Sequence, residues 1–158
     1  MSYKIHNVEQ GSLEWHELRL QYPLTASHAQ AIGTGKKGLE TLCWEKMSQK
    51  YSFADKETYV NQDLERGVEL EPYARTLYEL ETGNTVEEIG FATNKRTCKF
   101  GGASPDGLVG LDGLVEIKCL NDVKHFKLMI QKRKDNEFTI ESKHEWQMQQ
   151  QMLFTKRK

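Results

Sequence analysis

Cysteine is scarce in this chain, proline equally so, and long apolar runs are missing. The three cysteines, Cys43, Cys98 and Cys119, are odd in number and far apart, with no CxxC pair. That pattern offers neither a disulfide framework nor a zinc site, so the thiols are expected to be reduced and structural. No run of about 18 apolar residues is present, which excludes a spanning helix, and "MSYKIHNVEQ" lacks the apolar centre of a signal peptide. A cytoplasmic protein without a membrane partner is the expectation. Internal repeats and low-complexity linkers are also missing, and 158 residues suit one domain with a real core.

An excess of one charge sign is lacking as well, the net charge being −1. The distribution is uneven, however. Between Phe53 and Ala92 ten acidic residues face three basic ones, whereas from Lys118 onward ten Lys or Arg face five Asp or Glu. Two solvated helix faces would explain this, and so would a metal held near a phosphate polymer.

Against that background the elements can be placed. Ser12 is an N-cap for a short helix over "LEWHELRL", which Pro23 ends. A second short helix runs from Thr25 to Gly33. A third covers Lys36 to Lys50, with Leu39, Leu42, Cys43 and Met47 at helical spacing. From Tyr59 to Leu80 the pattern is helical, with Gly67 and Pro72 predicting a kink and Gly83 an end. "TVEEIGFA" reads as one strand. Two more strands follow, joined through "VGLDG" with Asp112 and Gly113 as turn residues. "DVKHFKLMIQ" and "HEWQMQQQMLF" are helices separated by a polar loop "KRKDNE". Helices, a meander of strands, then helices again define an α/β class with one helix-covered sheet.

The segment "SPDGLVGLDGLVEIKCL" at 104–120 combines glycine and apolar residues with Asp106, Glu116 and Lys118. If "LVEIKCL" is a strand, Glu116 and Lys118 project from one face and Val115, Ile117 and Cys119 from the other. A hairpin-like connection brings Asp106 towards Glu116. Two adjacent carboxylates repel unless a cation neutralises them, and hard oxygen ligands suit Mg²⁺ or Mn²⁺. Lys118 beside them is equipped to orient a water or to stabilise charge on a phosphoryl oxygen. This is the equipment of metal-assisted phosphodiester hydrolysis.

Asp106 and Glu116, ten positions apart, with Lys118 two further on, resemble the PD-(D/E)xK nuclease signature. Four further segments, "VEQGSLEWHELRL" followed by "TAS", "RGVELEPYARTLYELETG", "GGASPDGLVGLDGLVEIKC" and "HEWQMQQQMLFTKRK", occur in the order seen in the lambda-exonuclease-like, YqaJ-like viral recombinase family. The resemblance spans Val8 to Lys158. It implies a restriction-endonuclease-like α/β core, a central mixed sheet flanked by helices, and a Mg²⁺-dependent (or Mn²⁺-dependent) 5′-to-3′ exonuclease acting on ends of double-stranded DNA in phage or prophage recombination. A single-strand annealing protein is the implied partner and a homo-trimer the implied assembly. The same core also serves endonucleases, and a DNA-binding module with an unused metal site is the reading from outside enzymology.

Carried over to this chain, the resemblance implies metal ligation by Asp106 and Glu116, with Ile117 also in the metal site, and a catalytic role for Lys118. Glu71 of "RGVELEP" matches a site glutamate ahead of Glu69, although an i,i+4 pair with Arg75 would also explain it. In "HEWQMQ", His144 stands where the family pattern has tyrosine, and Gln147 and Gln149 match its glutamines. Gln147 is the one expected to hold the attacking water or scissile phosphate, unless the glutamine run is a solvated helix face. Arg19, Ser27 and Ser104 match a pocket for the terminal 5′-phosphate, for which a guanidinium fork and hydroxyls are suited. A cap role competes at Ser27, and Trp15 reads as a core residue. Relatives carry a further strand and terminal helices beyond the residues matching "MLFTKRK", so residues 1–158 are expected to form one nuclease domain without them.

Overall fold

The computed structural model describes residues 3–51, 62–135 and 138–158. They fall into two compact units: 3–51, 86–116 and 142–158 make up the first, and 62–85, 117–135 and 138–141 the second.

In the first unit, strand β1 (Lys4–His6) is followed by helix α1 (Leu13–Gln21), β2 (Leu24–Thr25), a 3₁₀ turn at Ala26–His28, α2 (Ala29–Gly33) and α3 (Lys36–Tyr51). Ser12 caps α1 by accepting from the Trp15 amide at 3.2 Å, and the helix closes at Tyr22, ahead of Pro23. The strands β3 (Val86–Glu87), β4 (Phe91–Thr93), β5 (Gly101–Ala103), β6 (Gly107–Val109) and β7 (Gly113–Val115) come next, and α6 (Ser142–Thr155) completes the unit. Two helices of the second unit precede α6 in the chain.

The strands form a mixed α/β arrangement. One sheet has the order β1-β4-β5-β2, antiparallel except for the parallel pair β2 and β5. The other is antiparallel, in the order β3-β6-β7. The single strand expected over "TVEEIGFA" is therefore two. β3 pairs with β6 and β4 pairs with β1 and β5, so the chain changes sheets at Glu88–Gly90. Gly90 is needed at this crossing because a Cβ there would sit 2.0 Å from the Val8 carbonyl oxygen.

Two small buried clusters hold this unit together. Ala26, Ala103 and Phe154 pack with Cys98, and Ile89, Ala92 and Leu108 pack with Ile5 and Leu114. Phe91 is fully buried, and its ring lies where a Cβ on Gly102 would be, 2.3 Å away. Small residues on β5 thus let aromatic rings lie directly on the sheet backbone, which is how a three-residue strand carries a packed layer.

The β6–β7 hairpin pairs Leu108 with Leu114 and Val109 with Gly113. Its connection is Gly110–Leu111–Asp112, and the residue with positive φ is Gly110, at 54°. The turn is held by Arg157, whose Nη1 donates to the Gly110 and Gly113 carbonyls at 3.0 and 3.1 Å. β7 ends at Val115, so Glu116 and Lys118 lie beyond the strand, not on one face of it as expected.

In the second unit α4 (Gln62–Thr82) continues through Pro72 without a break and ends where Gly83 turns to φ +68°. Residues 59–61 of the helix anticipated there lie outside the described residues. α5 (Asp122–Asp135) continues through "KRKD", which had read as a loop, while 136 and 137 of that segment are outside the described residues. Asn121 caps α5 on the Lys124 amide at 3.1 Å and donates to Asp63 of α4 at 2.8 Å. Arg66 reaches the Leu120 carbonyl and pairs with Asp122 at 3.3 Å. None of the described helices is long and apolar enough to cross a membrane.

Candidate active site

The segment Ser104–Pro105–Asp106 links β5 to β6, and a glutamine from far upstream braces it. Gln10 donates through one amide group to the Ile89 and Pro105 carbonyls, at 2.8 and 3.0 Å. Pro105 is buried, while Ser104 and Asp106 on either side are half-buried and reach the surface. Asp106 is thus a carboxylate on a rigid segment.

Glu116 is fixed from the opposite direction, by α6. Gln147 and Gln151 are one helical turn apart and point the same way, and each donates its Nε2 to a different oxygen of the Glu116 carboxylate. Gln151 is fully buried and also donates to the Ser104 carbonyl at 3.4 Å. Gln150 donates to the Leu24 and Gly102 carbonyls at 3.1 and 3.3 Å. The solvated-face alternative for the glutamine run therefore fails at these positions. Gln147, Gln150 and Gln151 tie α6 to the sheet and to Glu116, and only Gln149 is exposed. His144 is half-buried in the first turn of α6.

The three residues matched to a 5′-phosphate pocket all lie in this first unit. The Arg19 guanidinium stands over the Trp15 ring, 4.2 Å from its centroid. The Trp15 indole N–H reaches both the Ser104 hydroxyl, at 3.0 Å, and the Gly90 carbonyl, at 3.2 Å. Ser27 shares a hydrogen bond of 3.0 Å with the Thr25 hydroxyl, which in turn lies 2.9 Å from His28 Nδ1. Trp15 is half-buried with its N–H engaged, not a plain core residue.

His28 was not foreseen. Its Nδ1 accepts from the Thr25 backbone N–H at 3.3 Å, closing a capping box, and a nitrogen that accepts must be unprotonated. Burial, together with the positive charges of Lys46 and Arg19, pushes the His28 pKa down from 6.5 to about 4. The folded ring thus refuses a proton that the unfolded chain accepts. Stability from this source is whole above pH 6.5 and is lost as pH falls towards 4. Between pH 6.5 and 5 the parent is expected to lose up to about 1 kcal/mol per pH unit relative to His28→Gln, which keeps an acceptor for the cap but does not titrate. Urea midpoints measured across that range check this, and parallel pH slopes for the two proteins would refute it.

In the second unit, Glu71 is paired with Arg75 at 2.7 Å, the i,i+4 contact weighed from the sequence. Ile117 and Lys118 follow Glu116 directly along the chain, and the Lys118 side chain is exposed. Among the described residues no three His, Cys, Asp or Glu side chains are gathered into a ready metal cluster. The donor set in the first unit still fits a hard divalent cation. Asp106 and Glu116 offer carboxylate oxygens, the hard donors such a cation takes, and an amide hydrogen bond from α6 holds each Glu116 oxygen in place.

The fold and this residue set define a class. Residues 14–158 match the YqaJ-like viral recombinase domain, and the chain belongs to that family. Among solved structures, it is similar to LHK-Exo, an alkaline exonuclease from Laribacter hongkongensis, with 36% identity and a TM-score of 0.74 over 92% of this chain and 70% of that one. One of the LHK-Exo crystal structures is a complex with dAMP. No curated protein sequence gives a significant match.

Proposed function

We propose that this chain is a divalent-metal-dependent deoxyribonuclease that degrades linear duplex DNA from its 5′ ends. The observation that carries the reading is the set Asp106, Glu116 and Lys118, present in register on a fold shared with an alkaline exonuclease. Asp106 and Glu116, with Ile117 between Glu116 and Lys118, would hold Mg²⁺ or Mn²⁺. When bound, such an ion polarises a phosphoryl oxygen and lowers the pKa of an attacking water. Lys118 supplies a mobile ammonium donor for charge that develops on the phosphoryl group. Gln147 and Gln151 keep the Glu116 carboxylate in one orientation, so that no reorganisation is needed on binding. The family pattern also gives Glu71 a part in the reaction.

Arg19, Ser27 and Ser104 hold the terminal 5′-phosphate and thereby set the direction of digestion. Hydrolysis that leaves the phosphate on the 5′ carbon releases 5′-mononucleotides, the class to which the dAMP held by LHK-Exo belongs. The 3′ single strands left behind are substrates for an annealing protein, which places the activity in phage or prophage recombination.

The test uses end-labelled linear duplex and closed circular duplex, each with Mg²⁺ and with EDTA. Mononucleotides released from the linear form alone, and only with Mg²⁺, are expected. Cutting of closed circles would make the protein an endonuclease, and binding without cutting would leave a DNA-binding module.

A further inference from the structure

We infer that Trp15 is a positioning residue for the 5′-phosphate pocket, holding Arg19 and Ser104 so that every donor hydrogen they carry is left for an anion. This rests on the functional reading above, because it concerns how that pocket works.

The inference comes from which side of each group Trp15 uses. An indole offers one N–H and no acceptor, so the Ser104 oxygen must accept in the 3.0 Å contact. The single hydroxyl hydrogen of Ser104 is then directed elsewhere and can be donated. The contact with Arg19 has the same logic. The Arg19 guanidinium carbon lies 4.2 Å from the Trp15 ring centroid, so it is held by the ring quadrupole and not by a carboxylate or carbonyl that would take up its N–H groups. Among the described residues no carboxylate or carbonyl accepts from the Arg19 guanidinium. One side chain thus fixes a cation and a hydroxyl that are 85 positions apart in the chain without consuming a donor of either.

The second acceptor of the indole N–H anchors the arrangement. The Gly90 carbonyl, 3.2 Å away, lies where the chain passes from one sheet to the other, a point fixed by contact with Val8. Trp15 and Arg19 are also i and i+4 on α1, so the stacked pair moves as part of one helix. A phosphate accepts hydrogen bonds and donates few or none. A pocket in which Ser104 donated to Trp15, or Arg19 was tied to a carboxylate, would have to break that bond before taking an anion.

Two substitutions separate the effects. Trp15→Phe keeps an aromatic face beneath Arg19 and removes only the N–H, whereas Trp15→Ala removes both. Rates of release of the first nucleotide, the only step at which the two ends differ, are measured on linear duplex with a 5′-phosphate and with a 5′-hydroxyl and resolved into kcat and KM. Calorimetry with dAMP against deoxyadenosine reports phosphate recognition without turnover. Trp15→Phe is expected to raise KM for the 5′-phosphate substrate at least threefold relative to the 5′-hydroxyl substrate, with the loss falling on KM and not on kcat. Trp15→Ala should lower the 5′-phosphate preference to the level of Arg19→Ala and abolish the preference for dAMP. A merely structural tryptophan would instead lower both rates together. If the parent discriminates by 5′-phosphate and both variants keep that ratio, the role assigned to Trp15 is overturned while the pocket stands. If the parent itself neither discriminates nor prefers dAMP, the pocket reading fails and this inference with it.

Discussion

Glu116→Ala is expected to reduce DNA cleavage by at least about 100-fold to 1,000-fold, the loss that follows removal of one group stabilising a transition state. It should also lower thermal stability, because Gln151 is fully buried and would be left with only the long bond to the Ser104 carbonyl. Glu116→Gln is no silent isostere. Two amide N–H groups now approach the carboxylate, one on each oxygen, and a glutamine there offers them one acceptor and one further N–H. A mismatched donor costs about 1–3 kcal/mol, so Glu116→Gln should be both inactive and less stable. Asp106→Ala should match it in activity.

Lys118→Ala is expected to separate the two properties. Its side chain is exposed, so the melting temperature and the affinity for Mn²⁺ should stay close to the parent while turnover falls by about the same 100-fold to 1,000-fold. Asp112→Ala is the control. Asp112 is exposed at the hairpin turn and pairs with Lys158 at 3.5 Å, a contact worth under about 1 kcal/mol. Calorimetric titration with Mn²⁺, thermal melts and nuclease rates on the same five proteins check the scheme. If Glu116→Ala or Asp106→Ala digests DNA at the parental rate, the active-site assignment is wrong.

What could be read in advance follows from the range of the forces involved. Helix α1 was legible because Ser12, Pro23 and the residues between them act locally, and α3 because Leu39, Leu42, Cys43 and Met47 recur at helical spacing. The strands were harder. β1 to β7 are two or three residues long, too short for a period of two to stand out, and β1 and β2 exist through partners found nearly 90 or 80 positions away. Nothing in "TVEEIGFA" announces a change of sheet, since the cause is the close approach of Gly90 to Val8. Gly67 and Pro72 left a break in α4 open, but the helix runs on through both for 21 residues, so the lost backbone bond at Pro72 does not end it. At the site, residue type was informative and placement was not. Asp106, Glu116 and Lys118 announce chemistry by their spacing, whereas the functions of Gln10, Trp15 and Gln151 lie in contacts with backbone and side chains 35 to 95 positions distant. The signal that could have found Gln151 was its i,i+4 spacing from Gln147, which puts both amides on one helix face. His28 had a signal too, at the fourth position of "TASH", where a capping box calls for a side-chain acceptor.

Arg19→Ala is expected to abolish most of the preference for 5′-phosphorylated ends. A hydrogen bond to a charged partner contributes about 1.5–3 kcal/mol, so loss of the guanidinium should slow digestion of 5′-phosphate duplex roughly 10-fold to 150-fold. Release of the first nucleotide from 5′-hydroxyl duplex, an end with no terminal phosphate, should proceed at a nearly unchanged rate. Arg19→Lys is the discriminating companion. It keeps the positive charge but loses the planar fork that lies over the Trp15 ring, so it should recover only a part of the preference. Burial already lowers the Arg19 pKa, which leaves the group charged at neutral pH yet partly stripped of water. The field of His28 does not compete, because that ring is neutral above its pKa of about 4. The result depends on ionic strength only weakly if the phosphate is bound in a partly desolvated pocket, and strongly if Arg19 acts as a surface charge, so rates at about 0.05 M and 0.2 M salt distinguish the two. Equal rates on 5′-phosphate and 5′-hydroxyl duplex for the parent protein would remove Arg19 from end recognition and leave the direction of digestion to be set elsewhere in the chain.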